Sequence, residues 1–345
     1  PSLRPPIGST LAKAPRFASI GWWLLRYPGR VRADLAAVVA EADADRPDPD
    51  RPDHELAAAI GRAMGRAERA ALANIVVPLL ATAAARRARI AVETAGADPD
   101  TVDATAQVDG AGEHDPERAL AGVRAELAKA PETLRDLAVQ GDWEQVRRHE
   151  AAAGVVAAVD EYLERFGALS DRMTDLTAVP WREEPGRILR LASLPEADRT
   201  ARPLHSVLPD APRTVSSRVA RAGRLQVLRE EVSQAYTGIY MDLRPLLLEA
   251  GERLAARGTI DGAADVVYLE VSEVLSALEG ESVGTDALAG RKAEMEAAAN
   301  FRVPDLIVGD DFVPIPRTGD ESLLRGVGSS RGRVRGTLRV VHDPT

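Results

Sequence analysis

The sequence predicts a mainly α-helical protein, a multi-helix domain of long helices followed by a short β-hairpin at the C-terminus. Three observations carry that prediction. The 345-residue chain is 45% apolar but only 4% aromatic, and its apolar residues are largely Ala, Leu and Val, set among Arg and Glu. Alanine, leucine, arginine and glutamate all favour helix, and the small side chains suit close helix contacts. Proline-rich stretches at residues 1–16, 42–53, 195–212 and 303–325 cut the chain into a few long pieces. At the end, Arg331, Arg333, Arg335 and Arg339 occupy odd positions, while Val334, Leu338 and Val340 occupy even ones. That two-residue period marks a strand or hairpin with one wet and one buried face. Gly326, Gly328, Gly332 and Gly336 supply its turns.

The elements follow in order. Residues 1–16 read as an extended leader, and a helix is expected over 17–41. The segment from Ala42 to Asp53 holds three prolines and is a solvated loop. Asp53 is expected to cap the next helix, with Glu55 in the first turn, where a carboxylate suits the helix dipole. That helix covers 54–94, with a kink near Pro78. An acidic loop spans 97–115. Helices resume at 116–129, where Pro116 fits the first turn, then at 131–139 and 142–166. The chain turns around 180–185 and a short helix runs to 194. The pattern over 214–257 is a long helix bent or broken at Pro245 and stopped by Gly258. A short strand is expected at 265–269, helices at 271–278 and 286–301, and a linker over 303–325.

Composition also excludes functions. A net charge of −9 argues against a general nucleic-acid binder, which needs a basic face to release counterions. The absence of cysteine rules out disulfides, thiolate metal sites and a cysteine nucleophile, and fits a cytoplasmic protein. The apolar run 75–85 is broken by Pro78 and falls short of the roughly 20 residues a membrane span requires, so no membrane partner is expected. The five histidines show no metal-ligand spacing. A chain that starts without methionine and stops inside a glycine-rich strand reads as a cut-out fragment.

The terminal stretch Gly326, Ser330, Gly332, Val334 and Gly336 resembles the opening of the swivelling phosphohistidine domain of phosphoenolpyruvate-utilising enzymes, with Arg331 where that family has proline. Further blocks resemble the phosphoenolpyruvate synthase and rifampicin phosphotransferase branch in the same order. They are Tyr162-Leu-Glu-Arg-Phe-Gly167, Pro180-Trp-Arg-Glu-Glu-Pro185, Arg229-Glu-Glu231, Gly251-Glu-Arg-Leu-Ala-Ala-Arg-Gly-Thr-Ile-Asp261 and Asp265-Val-Val-Tyr-Leu269. The chain departs at Ala168-Leu-Ser-Asp171, where the family has His-Arg-Gly.

The resemblance implies a helical substrate (acceptor)-binding domain over 1–302, a linker over 303–325, and over 326–345 the first hairpin of an incomplete α/β swivelling domain. In such enzymes an ATP-grasp domain, with ATP and Mg, phosphorylates a histidine using the β-phosphoryl group of ATP. The histidine then carries the group to a small-molecule acceptor, possible antibiotics included, and AMP and phosphate are released. Neither the ATP-grasp signatures nor the Thr-Ser-His segment occurs in this sequence, so the chain is expected to bind the acceptor without being catalytically complete. It would depend on the ATP-grasp and phosphohistidine domains of a parent protein, and no cofactor is expected in the chain itself. The alternative is a helical ligand-binding or scaffold protein without phosphotransfer.

The candidate substrate-binding residues follow from spacing and chemistry. Arg229, Tyr236, Tyr240 and Arg244 recur on one helical face, offering guanidinium forks for anions and phenols that combine apolar surface with a hydrogen bond. The competing account has these arginines paired with neighbouring carboxylates. Trp22 and Trp23 stand adjacent at the start of a helix, and Trp181 lies in the Pro180–Pro185 block; aromatic walls are common in ligand pockets.

Overall fold

A computed structural model describes residues 26–42, 48, 50–172, 174–195, 201–302 and 315–316. The described part is mainly helical, as the composition predicts. The hairpin expected over 326–345 lies outside the described residues. The chain divides into two compact units, residues 1–250 and 251–345.

In the first unit, a 3-10 turn at Tyr27–Gly29 precedes α1 (Val31–Ala40). Of the helix expected over 17–41, residues 17–25 lie outside the described residues, and the α-helix begins only at Val31, after Pro28, whose ring suits the first turn of a helix and not its interior. The long helix α2 covers Asp53–Thr94 and runs through Pro78 without a break in its assignment. Pro52, extended at ψ 153°, occupies the cap position, and Asp53 is the first helical residue instead of the expected cap. Leu56, Ala63, Ala70, Val77, Ala84 and Ala91 recur every seven residues along α2, and each is buried. A strict seven-residue repeat keeps one seam facing a partner helix, and alanine on that seam lets the two backbones approach. The partner is α9 (Arg213–Met241), which makes with α2 the most extensive helix pair of the structure.

The remaining helices of this unit are α3 (Pro116–Lys129), α4 (Glu132–Gln140), α5 (Trp143–Arg148), α6 (Ala153–Phe166), α7 (Pro185–Ser193) and the single turn α8 (Leu204–Val207). α3 to α7 enclose one core that includes Leu134, Val146, Val159, Phe166, Ile188 and Leu189, all essentially inaccessible. Burying such side chains stabilises a fold by about 1.5–3 kcal/mol each. The Asp115 carboxylate caps α3 by accepting the N–H groups of Glu117 and Arg118 at 3.0 and 3.2 Å. Gly141 ends α4 at φ +72°, a conformation that side chains disfavour. The single helix expected over 142–166 is two, because His149 leaves helical geometry at ψ 131° and its Nδ1 accepts the Ala151 N–H.

The acidic loop 97–115 is tied down. It contains a 3-10 turn at Pro99–Thr101, and Val102 bridges Arg202 through the hydrogen bonds of Asp103 N–H to Arg202 O and Arg202 N–H to Thr101 O. The break near Pro245 falls at Asp242, between α9 and α10 (Leu243–Ala256). Proline has no N–H to give the carbonyl four residues back, and its ring crowds that carbonyl.

In the second unit, the segment expected as a strand at 265–269 is a 3-10 helix, Ala263–Tyr268. Its backbone groups are satisfied locally, by Asp265 N–H to Gly262 O and Leu269 N–H to Val266 O, so it needs no strand partner. Gly251 admits it: a side-chain carbon there would stand 2.9 Å from the Ala263 carbonyl carbon. Gly258 stops α10 at φ +72°, with Thr259 N–H returning to Leu254 O, as anticipated. α11 (Val271–Leu278) opens on a Glu270/Glu273 capping box, and α12 covers Thr285–Ala299. Of the linker expected over 303–325, the described residues are Ile315 and Pro316, which form β2 and pair antiparallel with β1 (Phe301–Arg302). No helix among the described residues is long and apolar enough to cross a membrane.

Candidate functional site

Two of the sequence blocks meet at the end of α6. The Tyr162 ring lies 6.2 Å from the Trp181 ring in a stacked arrangement and 5.1 Å from Phe166. The backbone closes the contact, with Trp181 N–H donating to Leu169 O at 2.8 Å and Arg182 N–H to Gly167 O at 3.0 Å. Gly167 is needed there because a side-chain carbon would stand 3.0 Å from the Arg182 Cβ. The Tyr162 hydroxyl and the Trp181 indole N–H are buried without a hydrogen-bond partner among the described residues. Burial pushes the Tyr162 phenol well above its ordinary value, and the Glu117 and Asp115 carboxylates add to the effect.

The single face expected for Arg229, Tyr236, Tyr240 and Arg244 is divided by the break at Asp242: Tyr236 and Tyr240 lie on α9 and Arg244 on α10, and these three reach the same corner. Arg244 donates to Leu176 O and to both oxygens of Glu183, at 3.3 and 3.4 Å. The Tyr236 and Tyr240 rings stand 6.0 Å apart and both are half-buried. The Tyr240 phenol is raised first by burial, then by the nearby Tyr236 and Asp175. Burial works to raise the Asp175 carboxyl, but the Thr177 hydroxyl at 2.5 Å, the Thr177 N–H at 2.8 Å and the Arg172 guanidinium at 3.2 Å outweigh it and hold it below its usual value. Trp181, Tyr240 and Arg244 therefore gather around the 175–183 turn.

Arg229 does not join them. It pairs with Glu230 and lies eleven residues, about 16 Å of helix, before Tyr240. Asp171, in the stretch that departs from the family pattern, pairs with Arg187. Trp22 and Trp23 lie outside the described residues. Among the described residues no group of His, Asp and Glu is placed to hold a metal ion.

A separate cavity of about 830 Å³ opens beside the first half of α9. Its lining includes the buried Leu204, Val219, Leu225 and Leu228 and the exposed His205, Arg221 and Arg224. Arg229, Tyr236, Tyr240, Arg244 and Trp181, the residues the sequence nominates, are not in the lining. Reasoning from motif blocks passed over this place. A compositional signal was present: from Arg213 to Arg229 the chain carries five arginines and no carboxylate.

No protein-family model matches the chain. It is similar to uncharacterized proteins of Mycobacterium tuberculosis and Mycobacterium bovis, at 31% identity over 196 residues in each case. The match covers 55% of this chain but only 22% of those relatives.

Proposed function

We propose that this chain is the acceptor-binding helical module of an ATP-dependent phosphotransferase of the dikinase type. It would hold a small hydroxylated molecule, an antibiotic among the possible substrates, for phosphoryl transfer from a histidine on another domain. Transfer forms a bond from the acceptor oxygen to phosphorus, breaks the phosphorus–nitrogen bond of the histidine and releases the hydroxyl proton. The module contributes orientation of that hydroxyl and exclusion of water.

The observation that supports this reading is the interlocking of the resembling blocks. Arg182 N–H of the second block donates to Gly167 O of the first, Trp181 N–H donates to Leu169 O just beyond it, and the Tyr162 and Trp181 rings stack. Arg244 then ties the second block, through Glu183, to the helix that follows the Arg229 block. The second reading, a binding or scaffold protein without phosphotransfer, is favoured by the pairing of Arg229 with Glu230 and of Arg244 with Glu183, which leaves that face largely self-satisfied.

A thermal-shift screen of hydroxylated antibiotics, rifampicin included, tests binding. An acceptor present at 100 times its dissociation constant adds about 2.7 kcal/mol of stability. Phosphorus NMR of the hit with ATP and the full-length gene product then separates the two readings. Acceptor-dependent formation of AMP and phosphate supports transfer, whereas binding with ATP left intact supports the scaffold.

A further inference from the structure

We infer that the cavity beside the first half of α9 is a binding site for a small molecule that joins an anionic group to an apolar body. Arg221 and Arg224 carry the anion recognition. Both line the cavity, and neither has a hydrogen-bond or ion-pair partner among the described residues. They stand three residues apart and so share a helix face, where two guanidinium forks suit the oxygens of one phosphate or carboxylate.

The rest of the lining fits the same chemistry. Arg32 also borders the cavity but is engaged by Glu231 at 2.7 Å. Asp103 accepts from the Thr105 hydroxyl and N–H at 2.6 and 2.8 Å and faces Arg118 at 3.6 Å. Asp109 is the lining carboxylate without a partner among the described residues, so the unpaired lining charge remains positive. That is notable in a chain of net charge −9. His205 Nδ1 lies 2.8 Å from Gln107 Nε2; with the amide donating, the neutral ring carries its proton on Nε2 and offers a further donor. Leu204, Val219, Leu225 and Leu228 supply the apolar wall, and the volume of about 830 Å³ lies within the range of small-molecule sites.

The cavity stands apart from the Tyr162–Trp181 corner, and the inference holds whether or not the chain serves a phosphotransferase.

The test is fluorescence titration of the chain with 1-anilinonaphthalene-8-sulfonate, an aromatic anion, and with its uncharged relative N-phenyl-1-naphthylamine. The Arg221→Gln/Arg224→Gln double variant is compared with Ile75→Gln, which alters an exposed apolar residue of α2 outside the lining. Circular dichroism checks that each variant folds. The expected result is a tenfold or greater loss of affinity for the anion in the double variant, with the neutral probe little changed and Ile75→Gln without effect. Added salt should weaken the anion alone. Competition by phenyl phosphate and benzoate separates the two anion types. Unchanged anion binding in the double variant, equal loss of both probes, or an equal loss in Ile75→Gln overturns the assignment.

Discussion

Gly223 gives a direct test of how the cavity is built. It lies on α9 under the 103–108 loop. A side-chain carbon there would stand 2.8 Å from the Ala104 carbonyl carbon, nearer still to its oxygen, and 3.1 Å from Val108 Cγ2. Ordinary contact begins at 3.4 Å, so the loop must retreat by at least about 0.6 Å in Gly223→Ala. It resists, because Asp103 N–H is bonded to Arg202 O and Thr105 N–H to Asp103. Forcing one methyl group into a packed site costs about 1–3 kcal/mol. Glycine to alanine in a helix returns up to about 1 kcal/mol, which obscures the steric cost when the variant is measured alone.

Gly122 of α3 is the control, since nothing stands within 4 Å of a carbon added there. The two substitutions share the helix and unfolded-chain contributions. Gly122→Ala should therefore stabilise by about 0.4–1 kcal/mol, with Gly223→Ala lying about 1–3 kcal/mol below it. For a unit of this size that is a separation of roughly 2–12 °C in Tm, readable by calorimetry and by urea titration. A Gly223→Ala protein within about 0.5 kcal/mol of Gly122→Ala would refute the close approach of the loop, and with it this wall of the cavity.

Further outcomes follow from the Tyr162–Trp181 corner. Tyr162→Phe should be neutral or stabilising in urea titration, because it removes a buried hydroxyl that has no partner among the described residues; a loss above about 1 kcal/mol would reveal a bond to that oxygen. Arg244→Ala should cost about 1.5–3 kcal/mol, since the guanidinium is largely buried and holds both Leu176 O and Glu183. Thr177→Val probes the depressed Asp175 carboxyl. A folded-state value below the unfolded one stabilises above the ordinary carboxylate range, and the effect disappears as pH falls through the folded value. The variant should therefore be less stable than the parent at pH 7 and converge with it below about pH 4; a difference constant down to pH 2 would contradict the assignment.

Much of the helical framework was legible in the chain because its signals are local. Pro116 at a first turn, Gly258 beyond a last turn and the alanine-rich run 54–94 each act through their own backbone, and the corresponding boundaries fall within a residue or two. The segment 265–269 was misread because Val-Val-Tyr has strand propensity, while its geometry depends on Gly251, fourteen residues earlier, accepting a backbone carbonyl against its Cα. The seven-residue alanine repeat of α2 was present in the sequence, yet its meaning depends on α9, more than a hundred residues away.

The site divides in the same way. Sequence alone determined which residues carry guanidinium, phenol and indole groups and that Arg229, Tyr236 and Tyr240 share a helix face, since spacing along a helix follows from its 3.6-residue turn, whereas Arg244 lies beyond the break at Asp242. Only the tertiary structure decided that Arg244 and Trp181 meet at the 175–183 turn and that the cavity lies beside Arg221 and Arg224. Those outcomes depend on which loops from distant parts of the chain come to rest against α9. Such contacts are set by packing, and no local pattern encodes them.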